Sequence, residues 1–214
     1  MKTIQLTFAA GIPLAVVVVI FVWFENAVSN PNLTEFVPQE TGRLESGMWR
    51  SYYEGRWLQL ACQTIQGACG QYGFSWWDGA RLSLHAARSA LFFRKSTDDP
   101  RCLPELEQYY EIVRKATGRN FDSHLAAALE LEWWKARRQG KAPIDYAPTI
   151  ARLTGHVYGL PEGRVLRAAK LRAEAMAYRD ARRDGRMTEA DWQEIACQLQ
   201  LAALSLKESV ANHR

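Results

Sequence analysis

The feature that most constrains this chain of 214 residues is a run from Ile4 to Phe24 that contains no charged side chain. A helix rises about 1.5 Å per residue, so about 20 uncharged residues cross the roughly 30 Å hydrocarbon core of a bilayer. Trp23 and Phe24 close the run, at the depth where aromatic side chains collect at a membrane interface. The sequence therefore predicts a transmembrane anchor over residues 1–24, with Trp23 and Phe24 at the interface.

A cleaved secretory signal is the alternative interpretation of this segment. Lys2 provides a short positive region, and Ala27 and Ser29 provide small residues at a cleavage site. The apolar run is longer than the core of about 7 to 15 residues that is usual in such signals. We therefore favour a retained, single-pass anchor.

The charges on either side of the run predict its orientation. Lys2 precedes the run, whereas residues 25–42 contain no lysine or arginine and carry three glutamates. Positive charge is typical of the cytoplasmic side of a membrane span. We expect a protein of the bacterial inner membrane whose soluble domain lies in the periplasm.

The chain after the anchor divides into a linker and a domain. Residues 25–42 contain Pro31 and Pro38 with several asparagines, which is typical of an extended linker. Residues 43–214 show no sustained two-residue alternation, so no sheet is predicted. The fold class is therefore all-α, with one transmembrane helix and a soluble bundle of about six helices.

Local signals predict where several of these helices begin and end. A first helix is expected from about Leu44 to Cys69, because Gly70 and Gly73 follow it. Ser75 and Thr188 each precede an acidic residue by three positions, the pattern of a capping box.

Cysteine and histidine patterns predict no metal or other cofactor. The four cysteines permit either two disulfides in an oxidising compartment or four separate thiols. Their spacing does not resemble a zinc site or a haem attachment motif, and no histidine follows a glutamate by three positions, as a di-iron bundle requires. The cysteines are Cys62, Cys69, Cys102 and Cys197.

Two pairs of adjacent tryptophans are the most informative feature of the predicted domain. The pairs are Trp76–Trp77 and Trp133–Trp134, and adjacent helical positions differ by about 100° in direction. One ring of each pair is therefore expected to reach a second surface, where large amphipathic rings serve as interface anchors. The alternative is that the rings fill the core.

A basic stretch supplies the second part of the predicted partner surface. Arg172, Arg179 and Arg183 belong to a row of cations interleaved with acidic residues. Such a row docks onto anionic headgroups or an acidic protein face, or it is a solvated helix with exposed ion pairs. We predict that the two tryptophan pairs and these three arginines bind a partner.

The same aromatic pairs raise the question of an internal repeat. Tyr52 and Tyr53 recur as Tyr109 and Tyr110, and the tryptophan pairs recur at the same offset of 57 positions. This is either the trace of a duplication or a coincidence, since the remaining positions barely match.

No motif in the sequence names a reaction. We predict a non-catalytic accessory or structural subunit of a bacterial membrane protein complex, with membrane lipid as a further partner and no nucleic acid. The alternative is an anchored enzyme or binding protein for a hydrophobic or sugar-like ligand in a tryptophan-lined pocket. In that alternative, Glu54, Glu130 and Glu132 supply the general acid and base.

Overall fold

The computed structural model describes residues 29–182, 185 and 187–212. All regular structure within these residues is helical, with no strand, which confirms the all-α prediction. The described residues form eight helices, more than the six or so that the sequence predicted for the soluble bundle. The helices are α1 (Pro38–Tyr53), α2 (Trp57–Tyr72), α3 (Trp76–Lys95), α4 (Cys102–Thr117), α5 (Ser123–Arg138), α6 (Pro143–Tyr158), α7 (Glu162–Asp180) and α8 (Glu189–Ala211).

The single first helix predicted from Leu44 to Cys69 is wrong, because two helices occupy this stretch. Gly55 adopts a φ of +72°, which lies in the left-handed region that favours glycine. The chain therefore reverses between α1 and α2, and the Arg56 amide donates to the Ser51 carbonyl at 2.8 Å. The helix α1 also begins earlier than expected, at Pro38, inside the predicted linker.

The predicted helix starts at Ser75 and Thr188 are confirmed. The Ser75 hydroxyl accepts a hydrogen bond from the Asp78 amide, and Thr188 forms a reciprocal capping box with Asp191. These side chains satisfy amides that the first turn of a helix leaves without an intrahelical partner.

The helices close into a ring in the described part of the chain. Each helix packs against the next one, and α8 packs back onto α1. Because the connections are short, neighbouring helices run antiparallel. The C-terminal ends of α1, α5 and α7 meet at one end of the ring, where Arg137 donates to Asp180 at 2.7 Å and to the Tyr53 hydroxyl at 2.9 Å. We call this the far end.

The first described residues lie at the opposite end of the ring, which we call the near end. The Asn32 amide donates to the Tyr72 carbonyl at 2.9 Å, and Lys207 donates to the Thr34 carbonyl at 2.7 Å. Leu33 and Phe36 are buried. Residues 29–37, which belong to the predicted extended linker, therefore lie against the domain.

The predicted anchor, Ile4 to Phe24, lies outside the described residues. Of the helices that the structure does describe, none is both long enough and apolar enough to cross a membrane. The single-pass topology therefore stays a prediction from the sequence.

The ring closes where α1 meets α8 at very short range. A Cβ atom added at Gly42 would lie 2.7 Å from the Cα atom of Gln200, so only glycine permits this approach. One turn later the buried Ser46 hydroxyl donates to the Trp192 carbonyl at 3.2 Å. The two helices are joined although about 150 residues of chain separate them.

The apparent repeat does not correspond to the fold. Tyr52 lies in α1 and its counterpart Tyr109 in α4, a shift of three helices. Trp76 lies in α3 and its counterpart Trp133 in α5, a shift of two helices. A duplication would shift every helix by the same number, so the offset is a coincidence.

Substitution of Gly42 by alanine tests the closure of the ring. The added methyl group would meet the α8 backbone, and the forced separation of α1 from α8 should reduce the free energy of unfolding by about 1–3 kcal/mol. Thermal and urea unfolding of the full-length protein in mild detergent, followed by circular dichroism, measures this change.

Gly67→Ala is the matched control, since Gly67 also lies within a helix and a Cβ atom there has no neighbour within 4 Å. It should raise the stability by about 0.5–1 kcal/mol, because alanine is the better helix former. A G42A protein as stable as G67A would contradict this account of the closure.

Candidate functional site

The two tryptophan pairs occupy different environments. Trp76 and Trp77 begin α3 at the near end and are 52% and 47% exposed. Trp133 is only 5% exposed and Trp134 is half-buried, and their rings pack edge to face at 6.1 Å. An outer aromatic surface is therefore available at the first pair and not at the second.

Glu130 explains why both rings of the second pair face inward. Its carboxylate accepts hydrogen bonds from the indole N–H of Trp134 at 2.8 Å, the indole N–H of Trp133 at 3.2 Å and the Tyr110 hydroxyl at 3.0 Å. Glu130, Trp133 and Trp134 stand at positions i, i+3 and i+4, which share one face of a helix. That spacing was the sequence signal for this cluster, and the sequence analysis missed it.

Arg172 also lies inside the ring. Its guanidinium donates to Glu45 of α1 at 2.8 Å and stands 5.8 Å from the centroid of the Trp133 ring. Burial alone would lower the pKa of Arg172, but the negative charges of Glu45 and Glu130 outweigh it and the pKa is raised. Arg172 therefore joins α7 to α1, and its partner-binding role stays a prediction.

Three tyrosines join these charged groups in the middle of the ring. Burial raises the pKa of Tyr109 to about 12, with a further contribution from the negative charge of Glu130. Burial likewise raises the pKa values of Tyr72 and Tyr158. We call the set the interior polar centre; its six half-buried members, from six helices, are Glu45, Tyr72, Tyr109, Glu130, Tyr158 and Arg172.

Arg179 belongs to a second interior cluster, at the far end. Its guanidinium carbon stands 3.2 Å from the centroid of the Tyr53 ring, and it also pairs with Asp180 at 3.3 Å. Arg137 completes the cluster through its two bonds to Asp180 and its bond to Tyr53. Arg183, the third predicted arginine, lies outside the described residues.

The three glutamates of the catalytic alternative do not converge. Glu54 is exposed after the end of α1, where it pairs with Arg50 at 3.0 Å and Arg56 at 2.6 Å. Glu132 is exposed and accepts a hydrogen bond from Thr149, whereas Glu130 points into the ring. A general acid and base must reach one substrate, and these carboxylates lie on separate surfaces.

The groups that could hold a metal ion are likewise dispersed. Within residues 29–182, 185 and 187–212, no three side chains of His, Cys, Asp or Glu come together as a metal site. His85 contacts Glu105 at 2.7 Å, and the Asp122 amide donates to His156. All four cysteines are free thiols; Cys62 and Cys197 are exposed and Cys102 is buried.

A groove of about 230 Å³ between α3 and α4 offers no chemical group that is free to react. Its Asp78 pairs with Arg81 at 3.4 Å. Its Glu111 accepts hydrogen bonds from Arg114 and Ser123, and these lower the pKa of that carboxyl. The groove is therefore a solvated seam between two helices.

The outer side of α2 and α3 is a feature that the sequence analysis missed. The helix α2 contains no charged residue, and of its side chains only Ala68 is buried. On α3, three large apolar residues repeat every seven positions and are 40–53% exposed. The sequence alone contains both signals, the seven-residue repeat of α3 and the absence of charge in α2. The three residues are Trp77, Leu84 and Leu91.

Comparisons with known proteins do not extend this picture. No family model matches the chain, and no curated protein and no solved structure matches it either. Function is therefore inferred from the residues and their geometry alone.

Glu130→Gln tests whether this carboxylate is structural. An amide has one acceptor oxygen, so at least one of the two indole N–H groups or the Tyr110 hydroxyl would face an amide N–H and lose its acceptor. We expect the free energy of unfolding to fall by about 1–3 kcal/mol. Glu54→Gln, which alters an exposed carboxylate, should change it by no more than about 0.5 kcal/mol. Equal effects of the two substitutions on urea unfolding would contradict the structural role.

The raised pKa of Tyr109 predicts a loss of stability in alkali. An unfolded tyrosine loses its proton near pH 10, whereas folded Tyr109 retains its proton until about 12. The unfolded state therefore binds fewer protons in this window, and stability falls as the pH rises through it, by roughly 1–2 kcal/mol for this half-buried group. Tyr109→Phe should reduce that fall. Urea unfolding at pH 8 and pH 11 measures the fall in the free energy of unfolding. If Y109F shows the same pH dependence as the wild-type protein, Tyr109 is not its cause.

Proposed function

We propose that this protein is a non-catalytic accessory or structural subunit of a bacterial inner-membrane protein complex. In this proposal the segment from Ile4 to Phe24 is a single membrane-spanning helix, and the helical ring is held in the periplasm beside the membrane. The partner binds the span and the exposed aromatic surface of Trp76 and Trp77.

The observation that carries the proposal is the position of the first described residues. Residues 29–37 lie at the near end, and a Cβ atom at Gly73 would stand 3.2 Å from the Asn30 carbonyl oxygen. Trp76 follows Gly73 by three positions, so Trp76 and Trp77 lie beside the place where the chain reaches the ring. Only four residues separate Phe24 from Ser29, a distance of at most about 18 Å. The proposed span therefore holds this aromatic pair close to the membrane.

The state of the interior charges supports a non-catalytic function. Glu45 is paired with Arg172, Glu130 accepts three hydrogen bonds, and Asp180 is bonded to Arg137. An acid or base catalyst needs a carboxyl that can exchange its proton with a substrate. These groups are instead engaged in hydrogen bonds and ion pairs with other side chains inside the ring.

The interior polar centre favours a second candidate, a membrane-anchored binding protein. Its half-buried phenols and the neighbouring Trp134 ring provide apolar surface with polar tips, which suits a hydrophobic or sugar-like ligand. The three hydrogen bonds to Glu130 argue against acid and base catalysis there. Extraction of the purified protein followed by mass spectrometry tests this candidate, which requires a bound compound that is depleted in the Tyr109→Ala protein.

Replacement of Trp76 and Trp77 together tests the accessory-subunit proposal. Full-length protein with Trp76→Ser and Trp77→Ser should remain in the membrane fraction. After extraction in mild detergent, at least about tenfold less partner should co-purify with it, which corresponds to a loss of about 1.4 kcal/mol or more of binding free energy. Trp57→Ser is the control, because Trp57 is 40% exposed at the far end. Recovery of the wild-type protein without any stoichiometric membrane protein would contradict the proposal.

A further inference from the structure

The helix α2 is an unusual member of the ring, because it is poorly buried yet has no charge. Leu58 is 86% exposed, and Cys62, Gln66 and Gly70 follow on the exposed side at helical spacing. Added Cβ atoms at Gly67 and Gly70 would have no neighbour within 4 Å. A helix that is exposed to water on one side usually carries charged residues there. The composition of α2 therefore indicates a surface that is covered when the protein functions.

The apolar residues of α3 continue this surface. Gly79 of α3 packs against α2, where a Cβ atom would lie 3.1 Å from the Cys69 sulfur, so the two helices are in close contact. Positions 77, 84 and 91 point outward, away from the buried Leu82 and Phe93. We call the joint surface the α2–α3 face; it comprises Leu58, Cys62, Gln66, Gly70, Trp77, Leu84 and Leu91.

A row of cations borders the α2–α3 face on its α4 side. Arg81, Arg88 and Lys95 are spaced by seven positions, so they form one line along α3. All three are exposed. Arg81 also contacts Asp78 at 3.4 Å, and Arg88 contacts Glu105 of α4 at 3.0 Å. The face is thus uncharged and partly apolar in its middle and basic along one edge.

We propose that the α2–α3 face lies on the surface of an anionic lipid bilayer. An interfacial helix characteristically combines tryptophan and leucine on one face with lysine or arginine at its border, and the cations reach lipid phosphates. The chain reaches the ring at Tyr72 and Gly73, the end of α2, so a span over Ile4 to Phe24 holds this face against the bilayer. The inference rests on that span, which is part of the proposed function.

The charge distribution favours lipid over a second copy of this chain. An uncharged α2 could pack on its own copy, but such a dimer would leave the basic row without a role. It would also leave the attachment of residues 29–37 beside this face unexplained. An anionic bilayer accounts for the uncharged α2, the apolar repeat on α3, the basic edge and the position of the chain together.

Two native cysteines allow the orientation to be measured on the full-length protein. Cys62 lies in the α2–α3 face, and Cys197 lies on α8, which packs between α7 and α1; both are exposed. The variants C69S/C197S and C62S/C69S each leave one exposed thiol for an environment-sensitive fluorophore. The labelled proteins are placed in nanodiscs of phosphatidylglycerol or of phosphatidylcholine that contain a lipid-borne quencher.

We expect phosphatidylglycerol discs to quench the Cys62 fluorophore at least about threefold more than the Cys197 fluorophore, with a smaller difference in phosphatidylcholine. Replacement of Arg81, Arg88 and Lys95 by glutamine should remove the preference for the anionic lipid. The matched control replaces Arg164, Arg167 and Lys170, three exposed cations of α7, and should retain it. Circular dichroism confirms that each protein is folded.

Three results would overturn the inference. These are equal quenching at Cys62 and Cys197, equal quenching in the two lipids, and a Cys62–Cys62 disulfide in unlabelled C69S/C197S protein whose labelled form is not quenched, which would assign the face to a second copy. The discs contain no partner protein, so these results do not bear on the proposed binding of a partner protein. If the protein does not elute with the discs at all, the predicted membrane span is wrong, and the proposed function is contradicted as well.

Discussion

The contact between α1 and α8 is the interaction on which the rest of the structure depends. Every other extensive packing contact between two helices of the ring joins helices that follow one another along the chain, whereas this one joins the first described helix to the last. Gly42 and the Ser46 hydroxyl allow the two helices to approach closely. Once α1 is held there, it brings Glu45 to Arg172 and Tyr53 to Arg137 and Arg179. The interior is therefore assembled by a contact of long sequence separation, whose loop-closure entropy is offset by the burial it creates.

The interior shows how a ring of helices holds charged side chains in half-buried positions. Charged groups away from water are tolerated when they are paired and hydrogen-bonded. Arg172 satisfies this condition between Glu45 and Glu130, and Glu130 in turn accepts from three donors. The polar residues that the sequence places on tryptophan-rich helices thus join one helix to another. We therefore propose the outer surface at Trp76, Trp77 and α2 as the region for recognition.

The sequence predicts local structure here better than it predicts distant contacts. Helical content and the caps at Ser75 and Thr188 follow from short-range patterns, and the structure confirms them. The turn at Gly55 was missed because one glycine within an otherwise helical pattern resembles a tolerated residue. The pairing of Glu45 with Arg172 joins positions 127 residues apart, so no local pattern could reveal it. The spacing of Trp133 and Trp134 from Glu130 predicts that both rings face inward. This prediction requires that both indole N–H groups are treated as hydrogen-bond donors to the Glu130 carboxylate.

The central claim is that a membrane span places the near end of the ring, with its exposed tryptophans, against an integral membrane partner. The most direct measurement is cross-linking in intact bacterial membranes from a photoreactive amino acid at position 76, which lies outside the α2–α3 face, with position 144 as the comparison. Ile144 is 64% exposed and begins α6, at the far end. The account predicts a specific adduct between position 76 and one integral membrane protein, and no such adduct from position 144. Equal labelling from both positions, or no protein adduct from position 76, would contradict it.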